Sequence, residues 1–216
     1  MSTTHLPLLK PSDHPGSIDP GSLRTPRAFA EAVSSCHRCP LADNRLQAVP
    51  GSGSPKADVL LLGLAPGRQE DVQGQPFVGA AGNVIDNALA AANATRADVH
   101  MTTLVKCRPP KDRQPHVLEL EACFPWLVEQ VAMLRPKVVV SLGELPTAAL
   151  LRRRVPIGRV AGLRLPVWDD ITLIPTHDPM NALRGGATAA TGIRRHIAAA
   201  LAVARAADDP GVPVTA

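Results

Sequence analysis

Aromatic residues are scarce in this chain, which has three phenylalanines, two tryptophans and no tyrosine among its 216 residues. The core must therefore be built mainly from Ala, Val, Leu and Ile. No apolar run approaches the roughly 20 residues of a membrane span, and the N-terminus lacks the apolar core of a secretion signal. We therefore expect a cytoplasmic protein of one ordinary-sized domain, with reduced cysteines and no membrane partner.

The excess of positive charge is small. A formal net charge of +4 is no proof of nucleic-acid binding, because many soluble proteins carry as much. Its distribution says more, since the segment 152–164 is crowded with arginines. These are Arg152, Arg153, Arg154, Arg159 and Arg164. Such clustering predicts either a patch that faces phosphates or a solvated arginine-rich turn.

The order of apolar runs and turn residues predicts the domain organisation. Residues 1–25 are rich in Pro, Ser and Gly, which predicts a disordered arm before a domain at 26–208 and a disordered tail at 209–216. Apolar runs predict strands at 57–63, 99–107, 137–143 and 171–176. Helices are predicted at 26–36, 83–93, 116–135 with an interruption near Pro125, 144–153 and 192–207. This alternation predicts a three-layer α/β/α domain with a central, mostly parallel four-stranded sheet.

In such sheets, ligands bind at the carboxyl ends of the strands. Here those ends lead to Gly63, to the segment 106–113, to Gly143 and to His177. The first loop, "GLAPGRQEDVQGQPFVGAAG" at 63–82, combines five glycines with Phe77. A ring in so supple a segment indicates contact with a ligand rather than with the core.

The four cysteines form a C-x2-C pair, Cys36 and Cys39, followed by Cys107 and Cys123 with fifteen residues between them. Four cysteines match the ligand count of a [4Fe–4S] cluster or a structural zinc ion. The wide second pair argues against a zinc ribbon, and a reducing compartment argues against disulfides. Buried thiols without a metal are the remaining alternative.

The loop and the cysteines together resemble the family-4 uracil-DNA glycosylases, the iron–sulfur branch of their superfamily. The family pattern G-E-A-P-G, E-D, G-R-P-F-V-G-x-A-G is similar to the loop quoted above, and T-N-V-V-K-C-R-P-P-G-N-R-x-P is similar to "TTLVKCRPPKDRQP". The cysteine spacing and the segment "LLRRRVPIGRVAG" also resemble the family. The resemblance covers about residues 30–205 and implies that a [4Fe–4S] cluster binds Cys36, Cys39, Cys107 and Cys123.

The resemblance implies a monomeric glycosylase of base excision repair, acting on single- or double-stranded DNA. It would flip uracil, or a related deaminated base, and hydrolyse its N-glycosidic bond to leave an abasic site. Phe77 would stack on the base, His177 would stabilise the leaving base and Asp71 would position water. The other expected substrate-binding residues are Gly63, Leu64, Ala65, Pro66, Gly67, Thr103 and Asn181. Those expected to contact DNA are Lys106, Arg108, Arg152, Arg153, Arg154, Arg159, Leu183 and Arg184.

Three positions depart from the family pattern. Leu64 replaces a glutamate and Thr103 replaces an asparagine, while "HDPMNALR" keeps His177 but displaces the proline and loses the serine of H-P-S. The leucine also resembles the G-L-A-P of the family-5 enzymes. These departures leave open a DNA-damage binding module with weak or no turnover. A nucleotide-binding or redox protein of flavodoxin-like type is a third interpretation.

Overall fold

A computed structural model describes residue 23, residues 25–168 and residues 170–207. Apart from Leu23 and Thr25, the predicted arm lies outside the described residues, and so does the whole predicted tail. Within the described part of the chain, no helix is long and apolar enough to cross a membrane.

The sheet contains the four predicted strands and two short edge strands that the sequence pattern did not indicate. The strands are β1 (Ser52–Gly53), β2 (Val59–Gly63), β3 (His100–Thr103), β4 (Val138–Leu142), β5 (Leu165–Val167) and β6 (Ile171–Thr176). Their order is β1-β3-β2-β4-β6-β5, in which β3, β2, β4 and β6 run parallel and the two edges run antiparallel. The mostly parallel sheet is thus confirmed, but it has six strands rather than four.

The helices, as the structure places them, are α1 (Pro26–Ser34), α2 (Arg68–Gln73), α3 (Ala80–Ala91), α4 (Val117–Leu134), α5 (Glu144–Leu151), α6 (Ile157–Val160), α7 (Pro179–Leu183) and α8 (Ala187–Ala206). The predicted interruption near Pro125 is wrong, because α4 continues through this residue. A proline removes one backbone hydrogen bond of a helix. Here the neighbours Phe124 and Trp126 are buried in the core, and this packing keeps the two halves in one helix.

The two faces of the sheet carry two separate apolar cores. Leu60 and Leu62 of β2 face a core formed with α1, α4 and α5, whereas Val59 and Leu61 face a core formed with α3 and α8. Alternate side chains of a strand point to opposite faces, so a fully apolar strand is what a sheet covered on both sides requires. This arrangement confirms the three-layer α/β/α fold.

The strand predicted at 99–107 leaves the sheet after Thr103. Leu104 and Val105 instead donate backbone hydrogen bonds to the carbonyls of Gly63 and Leu64, at 3.0 and 3.2 Å. The chain then turns inward, and Cys107 is buried beside α4. This turn places Thr103 at one site and Cys107 at another.

Candidate functional site

A cavity of about 430 Å³ opens at the carboxyl ends of the parallel strands, and we call it the Phe77 cavity. It is lined by residues 63–70, Phe77, residues 79–81, Thr103, Pro109, residues 112–114, Leu142, residues 178–180 and Arg184. Its size is within the usual range of small-molecule sites. Of the predicted substrate-binding residues, Asn181 alone is missing from this lining.

The Phe77 ring lies directly on the end of β2. A Cβ on Gly63 would come within 2.7 Å of the ring atom Cζ, so only glycine leaves room for the ring. Phe77 has a φ of 54°, in the left-handed region that side chains other than glycine rarely adopt. Its carbonyl oxygen would be 1.8 Å from a Cβ on Gly82, which therefore also has to be glycine.

Arg96 holds this strained residue in place from outside the cavity. Its Nη2 donates to the Phe77 carbonyl at 2.6 Å, and its guanidinium also makes two hydrogen bonds, of 2.6 and 2.9 Å, to the Asp86 carboxylate. Strained backbone persists where the surroundings over-determine it. The ring is therefore held in position before any ligand binds.

Glu70, in the first turn of α2, joins the two sides of the cavity loop, which is the segment 63–82. Its carboxylate accepts hydrogen bonds from the backbone N–H groups of Gly67, Val78 and Gly79, at 3.1, 3.0 and 2.9 Å. Sequence reasoning missed this residue and chose its neighbour Asp71. The available signal was its position three residues after Gly67, where an acidic residue often closes a helix cap.

Asp71 faces away from the cavity. It is 3% exposed and accepts hydrogen bonds from the backbone N–H groups of Leu46 and Gln47, at 2.9 and 3.4 Å. It thus ties α2 to the segment that follows Cys39. This placement gives no support to the expected contact with an attacking water.

Leu64 and Thr103 both line the cavity floor and offer it little polarity. The Thr103 hydroxyl donates to the carbonyl of Val105 at 2.8 Å, so its proton is not free for a ligand. Its methyl group Cγ2 faces Gly63, 3.3 Å from where a Cβ would lie. The hydroxyl oxygen retains acceptor capacity, which is what a ligand N–H requires.

His177 follows β6 but lines a second cavity, of about 460 Å³, together with Arg195 and His196. A Cβ on Gly192 would come within 2.9 Å of its Cδ2, so the ring lies against α8. His196 is hydrogen-bonded to Thr176 at 2.8 Å, and burial lowers the pKa of His196 to about 4. The structure therefore does not bring His177 to the Phe77 cavity.

All four cysteines line one small cavity between the C-x2-C segment and α4. Three N–H groups point at their sulfur atoms. Arg45 Nη1 donates to Cys107 at 3.0 Å, the Lys106 backbone N–H to Cys123 at 3.2 Å and Trp126 Nε1 to Cys36 at 3.2 Å. Donors around sulfur are typical of iron–sulfur sites, where such hydrogen bonds tune the cluster.

Burial raises the pKa of the Cys39, Cys107 and Cys123 thiols, the last to about 12. A bound metal reverses this preference, because a coordinating thiol loses its proton. Among the described residues, no group of three or more His, Cys, Asp or Glu side chains is arranged to hold a metal ion. The four cysteines therefore share a cavity without surrounding one point, as the ligands of a single zinc ion must. In a [4Fe–4S] cluster each cysteine binds a different iron, so the four residues fit a cluster better.

Comparison with known proteins decides the family. A family model described as the uracil DNA glycosylase superfamily matches residues 50–201, which include the cavity loop, β3 and α7. The chain belongs to this superfamily. The match confirms the resemblance found in the sequence.

Two similar relatives are both named type-4 uracil-DNA glycosylase. The relative from Pyrobaculum aerophilum is 43% identical over 136 residues, covering 61% of this chain and 69% of the relative. The relative from Saccharolobus solfataricus is 38% identical over 164 residues, covering 72% and 76%. A type-5 uracil-DNA glycosylase from Thermus thermophilus is 30% identical over 156 residues, covering 57% and 71%.

In this superfamily member, the Lys106 side chain, which was expected to contact DNA, is 1% exposed, and this placement gives no support to that contact. Its Nζ donates to the Thr103 carbonyl and to Gln130 Oε1, both at 2.8 Å, and to the Thr102 hydroxyl. Burial lowers the pKa of Lys106 to about 7. The strand ends before this residue, and the chain carries its side chain into the interior beside the cysteines.

The other residues expected to contact DNA lie at the surface, but in different places. Arg184 lines the mouth of the Phe77 cavity, next to Leu183, which is 45% exposed. Arg108 pairs with Asp112, whose oxygens it contacts at 2.7 and 3.1 Å. The exposed arginines at 152–154 and 159 line neither of the two cavities.

Proposed function

We propose that this chain is a uracil-DNA glycosylase of base excision repair. It flips uracil, or a related deaminated base, out of DNA and hydrolyses the N-glycosidic bond to leave an abasic site. The observation that carries this proposal is the Phe77 ring, fixed by Gly63 and Arg96 on the floor of the cavity. The type-4 names of the relatives agree with it.

The cavity geometry supplies what a flipped base needs. Stacking of a base on an aromatic ring is worth about 1–3 kcal/mol, and extrusion of a base costs a few kcal/mol. A ring held before binding loses little freedom when the base arrives, so more of the stacking energy offsets the extrusion cost. Thr103 would accept a hydrogen bond from the base, in place of the two contacts of the family's asparagine.

The cysteines would hold a [4Fe–4S] cluster with a structural role. Cys36 and Cys39 precede the sheet, Cys107 follows β3 and Cys123 lies on α4. A cluster bound to all four would join these three segments. The cluster would thereby fix the position of Leu46 and Gln47, which Asp71 ties to the cavity loop.

DNA would approach the cavity mouth beside Leu183 and Arg184. Positive side chains near phosphates release counterions, so the arginines at 152–154 and 159 would raise affinity without reading sequence. Arg108 would act with them only where its pair with Asp112 opens. We further propose that the protein is a cytoplasmic monomer that accepts single- and double-stranded DNA.

A DNA-damage binding protein with weak turnover is the second candidate. Leu64 favours this candidate because it is apolar, and Thr103 favours it because its hydroxyl already donates to the Val105 carbonyl. His177 also favours it, since this residue lies outside the Phe77 cavity. Binding on Phe77 would be retained in such a protein. The two candidates therefore differ in turnover and not in affinity.

One experiment separates them. The protein, in excess, is incubated with labelled oligonucleotides that contain uracil, hypoxanthine or thymine, and free base and abasic sites are measured. Phe77→Ala should lose binding and release, whereas Leu118→Ala, at an exposed position of α4 outside both cavities, should keep them. Tight binding of uracil-containing DNA without release would support the second candidate. Equal behaviour towards uracil and thymine would contradict both.

A further inference from the structure

Three carboxylates line the Phe77 cavity: those of Glu70, Asp112 and Asp178. Both oxygens of Glu70 accept backbone hydrogen bonds, and both oxygens of Asp112 accept from Arg108. Both carboxylates are thus held by hydrogen bonds from the protein itself.

Asp178 differs from the other two. Its Oδ1 accepts the backbone N–H of Met180 at 2.8 Å, which caps α7. Within the described residues, no hydrogen bond or ion pair to Oδ2 is found. This oxygen lies 3.6 Å from the position that a Cβ on Gly143 would take, and Gly143 directly follows the last residue of β4. Asp178 therefore presents a free carboxylate oxygen beside the strand ends.

We propose that Asp178 is the catalytic carboxylate of this cavity, a role that rests on the proposed function. Its carboxylate accepts a proton from water while the water oxygen bonds to C1′ of the sugar. The C1′–N1 bond breaks, and its electron pair leaves with uracil as an anion. The proton on Asp178 then passes to this anion or to solvent, so the carboxylate is restored and the products are an abasic sugar and uracil.

A carboxylate is also suited to the transition state of this reaction. The sugar becomes cationic as the base departs, and an anion beside it lowers the energy of that charge. A cap alone does not require a carboxylate, because Ser and Asn cap helices about as well as Asp does. The free oxygen of Asp178 is thus available for chemistry.

Asp178 takes a role that the sequence suggested for other residues. Asp71 is tied to Leu46 and Gln47, and His177 lies in the second cavity. Leu64 stands where the family has a glutamate. Of the carboxylates lining the cavity, Asp178 alone retains a free oxygen to replace the one lost at position 64.

The test compares Asp178→Asn with wild type in single-turnover uracil release. Asparagine keeps the shape and the cap, so the fold should persist, and Asp178→Ser provides a second capping variant. We expect the release rate to fall by about 10²–10⁴, while the dissociation constant for uracil-containing DNA changes little. Asp170→Asn makes the same change at an exposed turn outside both cavities and should match wild type.

The outcomes separate this inference from the proposed function. A wild-type protein that releases no uracil contradicts the proposed function. An active wild type with equally active Asp178→Asn and Asp178→Ser variants overturns the role of Asp178 alone. A selective loss of activity in His177→Ala, with Asp178→Asn unaffected, would return the role to the histidine.

Discussion

Arg96 donates to the backbone carbonyl of Phe77 at 2.6 Å while it also pairs with Asp86 through two hydrogen bonds. Arg96 does not line the cavity, yet it fixes the residue that forms the floor. A left-handed conformation costs a residue other than glycine on the order of 1–3 kcal/mol. The ion pair is therefore part of the machinery that positions the ring.

Arg96→Met should slow uracil release by about tenfold or more, which corresponds to roughly 1.4 kcal/mol. Without the guanidinium, the Phe77 carbonyl loses its donor and the loop can relax. The catalytic efficiency on a uracil oligonucleotide measures the effect. Arg27→Met removes an exposed arginine of another ion pair and serves as the control. Equal efficiency of Arg96→Met and Arg27→Met would show that the ring needs no such support.

Gly63→Ala should displace the Phe77 ring, because the added Cβ would lie 2.7 Å from Cζ. Loss of good stacking should weaken binding to uracil-containing DNA by about 1–3 kcal/mol. Fluorescence anisotropy with a labelled oligonucleotide measures the dissociation constant. Gly158→Ala is a matched control, since nothing lies within 4 Å of its Cβ position. Unchanged affinity in Gly63→Ala would separate Phe77 from base binding.

The sequence predicted the four central strands because each is a short apolar run between turn residues. It missed β1 and β5, which are two and three residues long and carry little pattern. It also missed α2, where the glycines and charges of "GRQEDVQG" read as a loop. The helix forms because the Glu70 carboxylate accepts the N–H of Gly67 at its first turn and also those of Val78 and Gly79 across the loop. Such contacts carry no periodic signal.

The site was predicted in outline and misread in detail. Residues 63–67 and Phe77 line the cavity as expected, since they follow a strand end. His177 and Asp178 are neighbours in sequence, and only the turn into α7 decides that the aspartate lines the cavity. Lys106 shows the same limit, because the early end of β3 takes its side chain inward. Spacing alone does not contain these directions.

DNA affinity should fall as salt rises, with each phosphate contact adding about 0.7–0.9 to the slope of log K against log salt. Arg154→Ala should lower this slope and weaken binding to all sequences alike. Lys56→Ala, at an exposed turn before β2, should leave the slope unchanged. Titrations at several salt concentrations measure it. A slope insensitive to Arg154→Ala would mark the arginine segment as solvated surface.

Protein purified without oxygen should be brown, with broad visible absorbance and four irons per chain. Cys123→Ser should lose the colour and lower the thermal midpoint, because α4 would no longer be joined to the C-x2-C segment. Ser141→Ala, which changes a buried hydroxyl of β4 away from the cysteine cavity, is the control for general destabilisation. Colourless protein with one zinc per chain would contradict the cluster.

Stability should decline on the acid side of neutrality because of His100. This ring is 6% exposed, and burial is the main cause that lowers its pKa from 6.5 to about 4, with the charge of Lys106 adding to it. Between pH 6.5 and about 4 the unfolded chain binds a proton that the folded chain does not. The stability that the neutral ring contributes is therefore present above 6.5, falls as the pH drops towards 4 and levels off below it. The total loss is about 3 kcal/mol.

Urea unfolding between pH 4 and 8 measures this decline as the free energy of unfolding. His100→Gln should flatten the curve below pH 6.5, since glutamine has no proton to gain. His196, whose pKa burial also lowers to about 4, should leave a residual slope in the same window. An unaltered slope in His100→Gln would mean that this histidine does not govern acid stability.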